Sequence, residues 1–589
     1  MTISLRSLFL TCALAVSYGS AQAASLYVGY CDGGMSATGY SKTGSGTIST
    51  AIIYPADGIT RYSDVSVTAI RIGLVTTDGV SNVKGWVRAA LDGDNLAEAA
   101  LSSPAEGWNE IAFDEPLTVD ALDSIVIGYS FEQEKSVQCM SLAGEDNANG
   151  YWVAKDGNWQ NRSSSYEGSL SVELVIEGAS IPSTDLEITA LQVDRPQVPY
   201  GDSVTVTCTV RNSAMNAFAG VSYTFTIKDI TFAMQSDKEF AYRDTETLTF
   251  SFCSADLPDA IGMPLVAVAA IEGDDDETNN TAQVYVSTYS ESYTRKVLLE
   301  EFTSEYCVNC PRAIETIATM MEEGYDTLTV CVAHHAGYTD DWLTTEHSEG
   351  LEWFYGDDGT YAPAGMFDRT QDDAYDSDVP VFSIGYAGTY RPMLQTALSF
   401  PSFVSVTPSA LYDAATRELF IGVTLRKLPI FDYVCDAPRI NIYIVEDSIL
   451  AHDQYGYTST TFRHRHVFRE SLTGQWGERF EWDGDTFSAD YSVVLSDDYD
   501  AQYVQVAAFV SHYNADDRND CKVYASEGVE IKDQVVASVR GIYADECDAV
   551  SSTYYTTSGM RVDAPSKRGV YVQRTVGSDG TTTVRKVLF

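Results

Sequence analysis

Apolar and polar residues alternate with a period of two along most of this chain, and that pattern predicts strands. Residues 65–74, 84–90 and 124–129 are short strands cut off by Asp, Gly and Asn turns, so the segment from Ser25 to about Gly178 reads as a β-sandwich. From Thr184 to about Ser287, Val204, Val206, Cys208 and Val210 alternate inward and Leu248, Phe250 and Phe252 do likewise, which predicts a second sandwich. The period then changes. Between Tyr293 and Phe400 strand and helix signals alternate: Val297-Leu298-Leu299 precedes a helical stretch over 311–321 with Ile314, Ile317 and Met321 at i, i+3 and i+7. Pro311 opens that helix where a missing N–H costs little, and Gly324 stops it. Residues 328–333 are apolar on both faces, as a buried parallel strand is. Strands return at 419–425, 439–445 and 503–509, and 554–589 is a compact strand-turn repeat.

Chemistry concentrates at one junction. Cys307-Val308-Asn309-Cys310 lies between the apolar run and the helix, so the dithiol meets unpaired backbone N–H groups and the positive end of the helix macrodipole. Both favour thiolate, the reactive form. Two intervening residues let the second sulfur reach the first over one helical turn, so a disulfide can open and close without rearranging the fold.

Length sets a prior of about four domains, since 589 residues exceed what one core organises. Arg6, the short apolar run from Leu8 to Val16 and Ala21-Gln22-Ala23 form a secretory signal pattern that places the mature start near Ala24, with Cys12 in a poor context for lipid attachment. No other apolar stretch approaches about 18 residues, the longest being 261–271, so no transmembrane helix is expected. The formal charge of −47 repels nucleic acid and anionic membranes, and keeps an exported chain soluble. Acidic loops such as Asp274-Asp275-Asp276-Glu277 admit a cation, although no segment has the spacing of a calcium loop.

Several segments resemble known families. The run Glu301-Phe302-Thr303-Ser304-Glu305-Tyr306-Cys307-Val308-Asn309-Cys310, with Tyr361-Ala362-Pro363-Ala364-Gly365-Met366-Phe367 later, resembles the thioredoxin superfamily. The resemblance implies that Cys307 attacks a substrate disulfide, that Cys310 resolves the mixed disulfide, that Pro363 is a cis-proline facing the dithiol, and that Glu301 is buried behind it with a raised pKa. Val308-Asn309 between the cysteines, Tyr306 where tryptophan is common, and an acidic, aromatic insert over 337–359 depart from the pattern. Ile442-Tyr443-Ile444-Val445-Glu446-Asp447 and Arg463-His464-Arg465-His466-Val467-Phe468-Arg469, following a dithiol domain, resemble the Omp-twenty-eight-related outer-membrane-protein family, a thioredoxin-like fold followed by a β-sandwich. Asp274 to Asn280 followed by Thr281-Ala282-Gln283-Val284 resembles the last hairpin of adhesion-related Ig-like modules of bacterial surface proteins. Ser558-Gly559-Met560-Arg561-Val562, Gly569-Val570-Tyr571-Val572 and Thr583-Val584-Arg585-Lys586-Val587-Leu588-Phe589 resemble the C-terminal sorting domain of type IX secretion.

These readings give a multidomain, mostly β chain in which β-sandwich and Ig-like domains flank one thioredoxin-like α/β domain. The expected divisions are a signal peptide at 1–24, a β-sandwich at 25–180, an Ig-like sandwich at 184–288, a thioredoxin-like domain at 293–400, a family β-sandwich at 402–532 and a secretion domain at 536–589. The expected function is thiol–disulfide exchange on protein thiols or disulfides at the cell or outer-membrane surface, reached through the type IX machinery, with no cofactor. Other readings stay open. The Cys307–Cys310 pair is a permanent staple in a surface adhesion or ligand-binding protein, or it joins His334 or His335 around a metal. His464 and His466 would lie on one strand face, as a metal pair or as ordinary hydrogen-bonded histidines. Aromatics at Tyr151-Trp152 and Trp159 form a ligand face or belong to the core. Cys31 with Cys139 and Cys435 with Cys521 are possible bridges, Cys208 and Cys253 stay apart because alternation sends them to opposite faces, and Cys331 is a core thiol. No hydrolase motif is present.

Overall fold

The structure, a computed structural model, describes residues 24–119, 122–257, 260–356, 361–372, 375, 377–384, 387–457, 461–531, 535–536, 549–556, 560–562, 570–577 and 582–588. The signal pattern and Cys12 lie outside them. The chain divides into two compact units, one built from 1–196, 203–253 and 263–286, the other from 197–202, 254–262 and 287–589. Strand predominates throughout. Among the described residues no helix is long and apolar enough to cross a membrane.

The first unit opens with an antiparallel sandwich. A four-stranded sheet, Ala24–Val28, Val172–Gly178, Val65–Leu74 and Gly107–Leu117, covers a six-stranded sheet centred on Gly46–Pro55 and Ser124–Gln133. Alternation puts Ile70, Ile72 and Leu174 against Ile48, Ile52 and Ile127 in one core. Of the two alternatives for the aromatics at 151, 152 and 159, packing is the one seen: Tyr151 is buried, and Trp159 stacks edge-on to the buried Trp86 at 6.1 Å. Cys31 and Cys139 are separate buried thiols rather than a bridge; the Cys31 sulfur lies 3.9 Å from the Val172 carbonyl.

The same unit continues as a second sandwich, with Leu186–Val193, Ser203–Asn212 and Thr245–Cys253 in one sheet and Val221–Ile227 and Met263–Ala270 in the other. The rings of Phe225 and Phe250 meet across the layers at 4.7 Å. Cys208 pairs in register with Leu248 and Cys253 with Ser203, and no disulfide joins the two. The acidic loop at 274–277 is held by backbone N–H groups: Asp275 accepts from Ser183 at 2.8 Å and Thr184 at 3.1 Å, and Asp276 accepts from Thr278 at 3.0 Å. Those carboxylates organise a turn.

In the second unit one sheet carries the site. Its order is Phe382–Ser383, Ala364–Phe367, Val297–Thr303, Thr329–His335, Val467–Ser471, Arg439–Glu446, Val504–Ser511 and Val523–Glu530, with Glu478–Arg479 pairing beside Arg439. Val297–Thr303 and Thr329–His335 run parallel, joined by the helix Cys310–Glu322, and every residue of both strands is buried. A strand between two covered faces must be apolar on both, which is why 297–299 and 330–333 read as continuous runs. Leu299 packs with Ala313, Ile317, Met320 and Leu394 on one face, and Leu298 packs with Val330, Val332, Tyr443 and Phe509 on the other. The helix buries Ala313, Ile317 and Met320, whereas Ile314 and Met321, expected on its inner face, flank that stripe. The sheet runs without interruption through the boundary expected near 400. Its far strands pack Ile442, Ile444, Val506 and Ala508 against Val404, Val423 and Leu425 of a second sheet built from Val404–Asp413, Glu418–Lys427 and Thr486–Val494. Cys435 and Cys521, expected as a possible bridge, are separate thiols; the Cys521 sulfur approaches the carbonyls of Asn514 and Asp517. The strands Ala549–Thr556, Arg561–Val562, Val570–Gly577 and Thr582–Leu588 form a four-stranded antiparallel sheet.

A buried ionic group sits on the Leu298 face. Glu300 accepts two hydrogen bonds from Arg369, at 2.6 and 2.7 Å, while its Oε1 lies 3.4 Å from His334 Nε2. Burial alone would raise the Glu300 pKa, but the Arg369 charge and hydrogen bonds hold it well below the usual carboxylate range. Arg369 and Asp368 both adopt left-handed backbone, at φ 51° and 50°, which turns one side chain to Glu300 and the other to Arg295 and the Leu298 N–H. Removing Arg369 leaves a buried, uncompensated carboxylate. Arg369→Ala is therefore expected to cost about 3–5 kcal/mol of unfolding free energy in urea titration, and Glu300→Gln combined with Arg369→Met to recover most of it.

Candidate functional site

The central strand Val297–Thr303 ends at a tight turn that delivers the dithiol. The Cys307 N–H donates to the Ser304 carbonyl at 3.1 Å, and Ser304 Oγ donates to the Thr339 carbonyl at 2.6 Å. Asn309 is the N-cap residue and Pro311 stands in the first turn, so the helix starts at Cys310, one residue before the predicted start. Cys307 and Cys310 are joined as a disulfide with Cα atoms 5.4 Å apart, and the Cys310 N–H points at Cys307 Sγ at 3.1 Å. One first-turn N–H, that of Cys310, thus faces the sulfur that would carry negative charge after reduction.

The sulfurs are covered. Cys307 is 3% exposed and Cys310 fully buried, although Val308 between them is 58% exposed. The cover is a strap, residues 452–457. Gln454 Nε2 donates to the carbonyls of Glu305 at 3.1 Å and Cys307 at 3.2 Å, and the Tyr455 N–H donates to the Glu305 carbonyl at 2.9 Å. Gly456, at φ 77°, lies so close to the Val308 carbonyl that no side chain fits there. The rings of Tyr306 and Tyr455 meet at 5.4 Å.

Glu301 faces the helix side of the central strand, sharing that face with Val297 and Leu299. It is 7% exposed, its Oε1 has no hydrogen-bond partner, and burial pushes its pKa up to about 8. Pro363 follows a cis peptide bond from Ala362. Ala364 pairs with Phe302, so Pro363 stands in register beside Thr303, at the strand end from which the dithiol turn leaves. Cys307, Cys310, Glu301 and Pro363 therefore gather around one strand end.

A second polar cluster beneath the turn was not legible in the sequence. The Glu305 carboxylate accepts from the N–H groups of His452 and Asp453, and its own N–H donates to Asp341 Oδ2 at 2.7 Å. The same Asp341 oxygen lies 2.7 Å from His335 Nδ1. His464 packs edge-on to His335 at 4.7 Å and lies 3.8 Å from Glu305 Oε1; burial pushes its pKa down to about 3. Burial would raise Asp341, but His335 and the N–H groups of Glu305 and Leu343 hold it below the ordinary range. The signals were Glu305 two residues before the first cysteine and the adjacent His334-His335 on an otherwise apolar strand.

The metal readings do not match this geometry. The two sulfurs are bonded to each other, and His334 turns to Ser348 at 3.0 Å and Glu300 on the opposite face. His464 and His466 do not share a strand face, because His466 sits at φ 53° beyond the strand Arg463–His464. Cys331 is a buried strand thiol whose pKa burial pushes up to about 12, as a core cysteine requires.

No family model matches this chain, and no curated protein matches it. Among solved structures, HBP35 of Porphyromonas gingivalis is 18% identical over 51% of this chain and 99% of its own, with a TM-score of 0.37. The CARDB domain of PF1109 from Pyrococcus furiosus is 18% identical over 19% of this chain and 98% of its own, at 0.16. An ICAM-5 D1–D4 ectodomain fragment is 10% identical over 80% of this chain and 86% of its own, at 0.22. These scores are too low to assign a fold or a function.

Glu301 makes stability fall as pH rises. The unfolded carboxyl ionises near 4.5 while the folded one keeps its proton to about 8, so the folded state is progressively disfavoured between those values and no further above them. Relative to Glu301→Gln, the wild type is expected to lose about 1 kcal/mol of unfolding free energy per pH unit between pH 5 and 8. A difference that stays flat with pH would place a counter-charge beside the carboxyl.

Proposed function

We propose that this chain is an exported surface protein in which residues 293–400 form a thioredoxin-like domain that exchanges disulfides with protein substrates through Cys307 and Cys310. The observation that carries the reading is the disulfide at the N-terminus of the helix Cys310–Glu322, on the strand end that Pro363 adjoins. In the reduced protein the Cys307 thiolate attacks a substrate disulfide, forming a mixed disulfide and releasing one substrate thiolate, which takes up a proton. Cys310 then loses its proton, attacks Cys307 Sγ and releases the second substrate thiolate. Two electrons pass from the dithiol to the substrate, and the reverse sequence oxidises a substrate dithiol. Glu301, a buried carboxyl on the helix side of the central strand, is the proposed relay for the Cys310 proton, which it can take up only in its ionised form, so this step speeds up as pH rises towards about 8. Export rests on the signal pattern ending at Ala23, and delivery by the type IX machinery on the C-terminal resemblance. The resemblance to the Omp-twenty-eight-related family supports the same surface location.

One observation favours a second reading. With Cys307 at 3% exposure under the strap, the pair suits a permanent staple in a surface adhesion or ligand-binding protein. The reduction potential separates the two: exchange requires a value in the range of about −270 to −120 mV, and a staple one below about −300 mV. With Cys310→Ser, a mixed disulfide to Cys307 is expected to accumulate on incubation with oxidised protein substrates; its absence would exclude exchange. Gln454→Ala, which releases the strap from the Glu305 and Cys307 carbonyls, is expected to speed reduction of the disulfide by dithiothreitol several-fold.

A further inference from the structure

A cavity of about 300 Å³ opens beneath the helix Cys310–Glu322, against the strands Val297–Thr303 and Thr329–His335. Its helix wall is apolar, formed by Ile314, Ile317, Ala318 and Met321. Two polar atoms line it without partners: Glu301 Oε1 and His466 Nδ1 are both buried and make no hydrogen bond. A buried carboxyl oxygen left unmatched is costly, so native proteins seldom keep one unless something else fills the place. A pocket of this size with a few convergent polar groups has the dimensions of a small-ligand site.

The charges around Glu301 select the ligand. Lys296 lies 2.5 Å from its own partner Glu527, and Arg465 lies 3.4 Å from Asp447. The exposed Asp326 and Glu530 add negative charge on the open side. The Cys331 thiol and the Tyr390 hydroxyl also lie close enough to feel the Glu301 charge, and burial raises both pKa values, so both are neutral near pH 7. His466, whose pKa burial lowers, is neutral there too. We propose that this cavity binds a small primary amine, its ammonium group hydrogen-bonded to Glu301 and its alkyl or aryl body against Ile314, Ile317 and Met321. An ammonium–carboxylate contact is charge-assisted and stronger than one between neutral groups, and a carboxylate ligand would meet like charge. Because burial keeps Glu301 protonated near pH 7 when the cavity is empty, binding an ammonium ion expels that proton. Affinity therefore rises with pH up to about 8 and levels off above it.

The site is read on the oxidised protein without any thiol reaction, so its failure leaves the exchange reading standing and the reverse also holds. Titration calorimetry of n-hexylamine into the full chain, in two buffers of different ionisation enthalpy, is expected to show one saturable site. It should release close to one proton at pH 6 to 7, with affinity rising roughly 50-fold from pH 6 to pH 8. Hexanoate and 1-hexanol are expected to bind at least about tenfold more weakly. Glu301→Gln should remove the pH dependence and about tenfold or more of the affinity. Ala318→Phe, which fills the cavity and keeps Glu301, should abolish binding, so the proposal stays testable if the Glu301 variant does not fold. Absence of saturable binding, equal binding of hexanoate, or unchanged binding in Ala318→Phe would overturn it.

Discussion

Glu300 and Glu301 are consecutive carboxyls on a strand buried on both faces, and the organisation of the second unit follows from what each one meets. The pleat sends them to opposite sides. Glu300 enters a layer where Arg369 presents a bidentate guanidinium, so it stays ionised. Glu301 enters the layer beneath the dithiol helix, finds no cation, and is pushed toward its neutral form. A one-residue slip in register would turn Leu298 and Leu299 as well as the two acids to the opposite sides, taking each leucine out of the layer it fills. The apolar pattern thus fixes the register of the strand that carries the dithiol, and with it which acid meets Arg369 and which lies beneath the helix.

The dithiol combines an activating environment with a cover. The helix N-terminus favours thiolate at Cys307, while the strap lowers the exposure a nucleophile needs. Both properties come from the same short turn. Its strongest link to the strap is Glu305, whose carboxylate takes N–H groups of His452 and Asp453 and whose carbonyl takes that of Tyr455. The acid and the dithiol are two residues apart, so displacing the strap and exposing the sulfur are one movement. That coupling distinguishes this arrangement from a bare helix-end dithiol.

Much of this fold was readable in the chain. Period-two alternation located the strands around Val204 and Leu248, the doubly apolar run at 330–333 marked a buried parallel strand, and Pro311 with Gly324 bracketed the helix. The buried face of the helix was read one residue off, because Ala313 and Met320 outcompete Ile314 and Met321 for the core once the crossing over the sheet is set by tertiary packing. Glu301 and Pro363 were named from the resemblance to the thioredoxin superfamily, which implies an acid six residues before the first cysteine and a proline opening a later strand. The strap could not. Gln454 and Cys307 are separated by 147 residues, and no local pattern marks a glutamine amide that will bind carbonyls of a distant turn. The bridges named as possible in the sandwiches are absent for a related reason: cysteine parity within a domain says nothing about whether two side chains converge.

The strap also orients the peptide groups of the dithiol turn. Gln454 draws the carbonyl oxygens of Glu305 and Cys307 toward itself, and Tyr455 adds a second donor to Glu305. The Cys310 N–H that points at Cys307 Sγ belongs to a separate peptide, between Asn309 and Cys310, and the Tyr306 N–H of the Glu305 peptide donates to Ser304 Oγ. Preorganised N–H groups around a developing anion stabilise it without reorganisation when charge appears. The strap and the helix start therefore act separately: the first restricts access to Cys307, and the second supplies the N–H that faces its sulfur. Removing the cover would expose the nucleophile and leave the Cys310 N–H in place, so access at this dithiol can change while the electrostatic support from the helix start is kept.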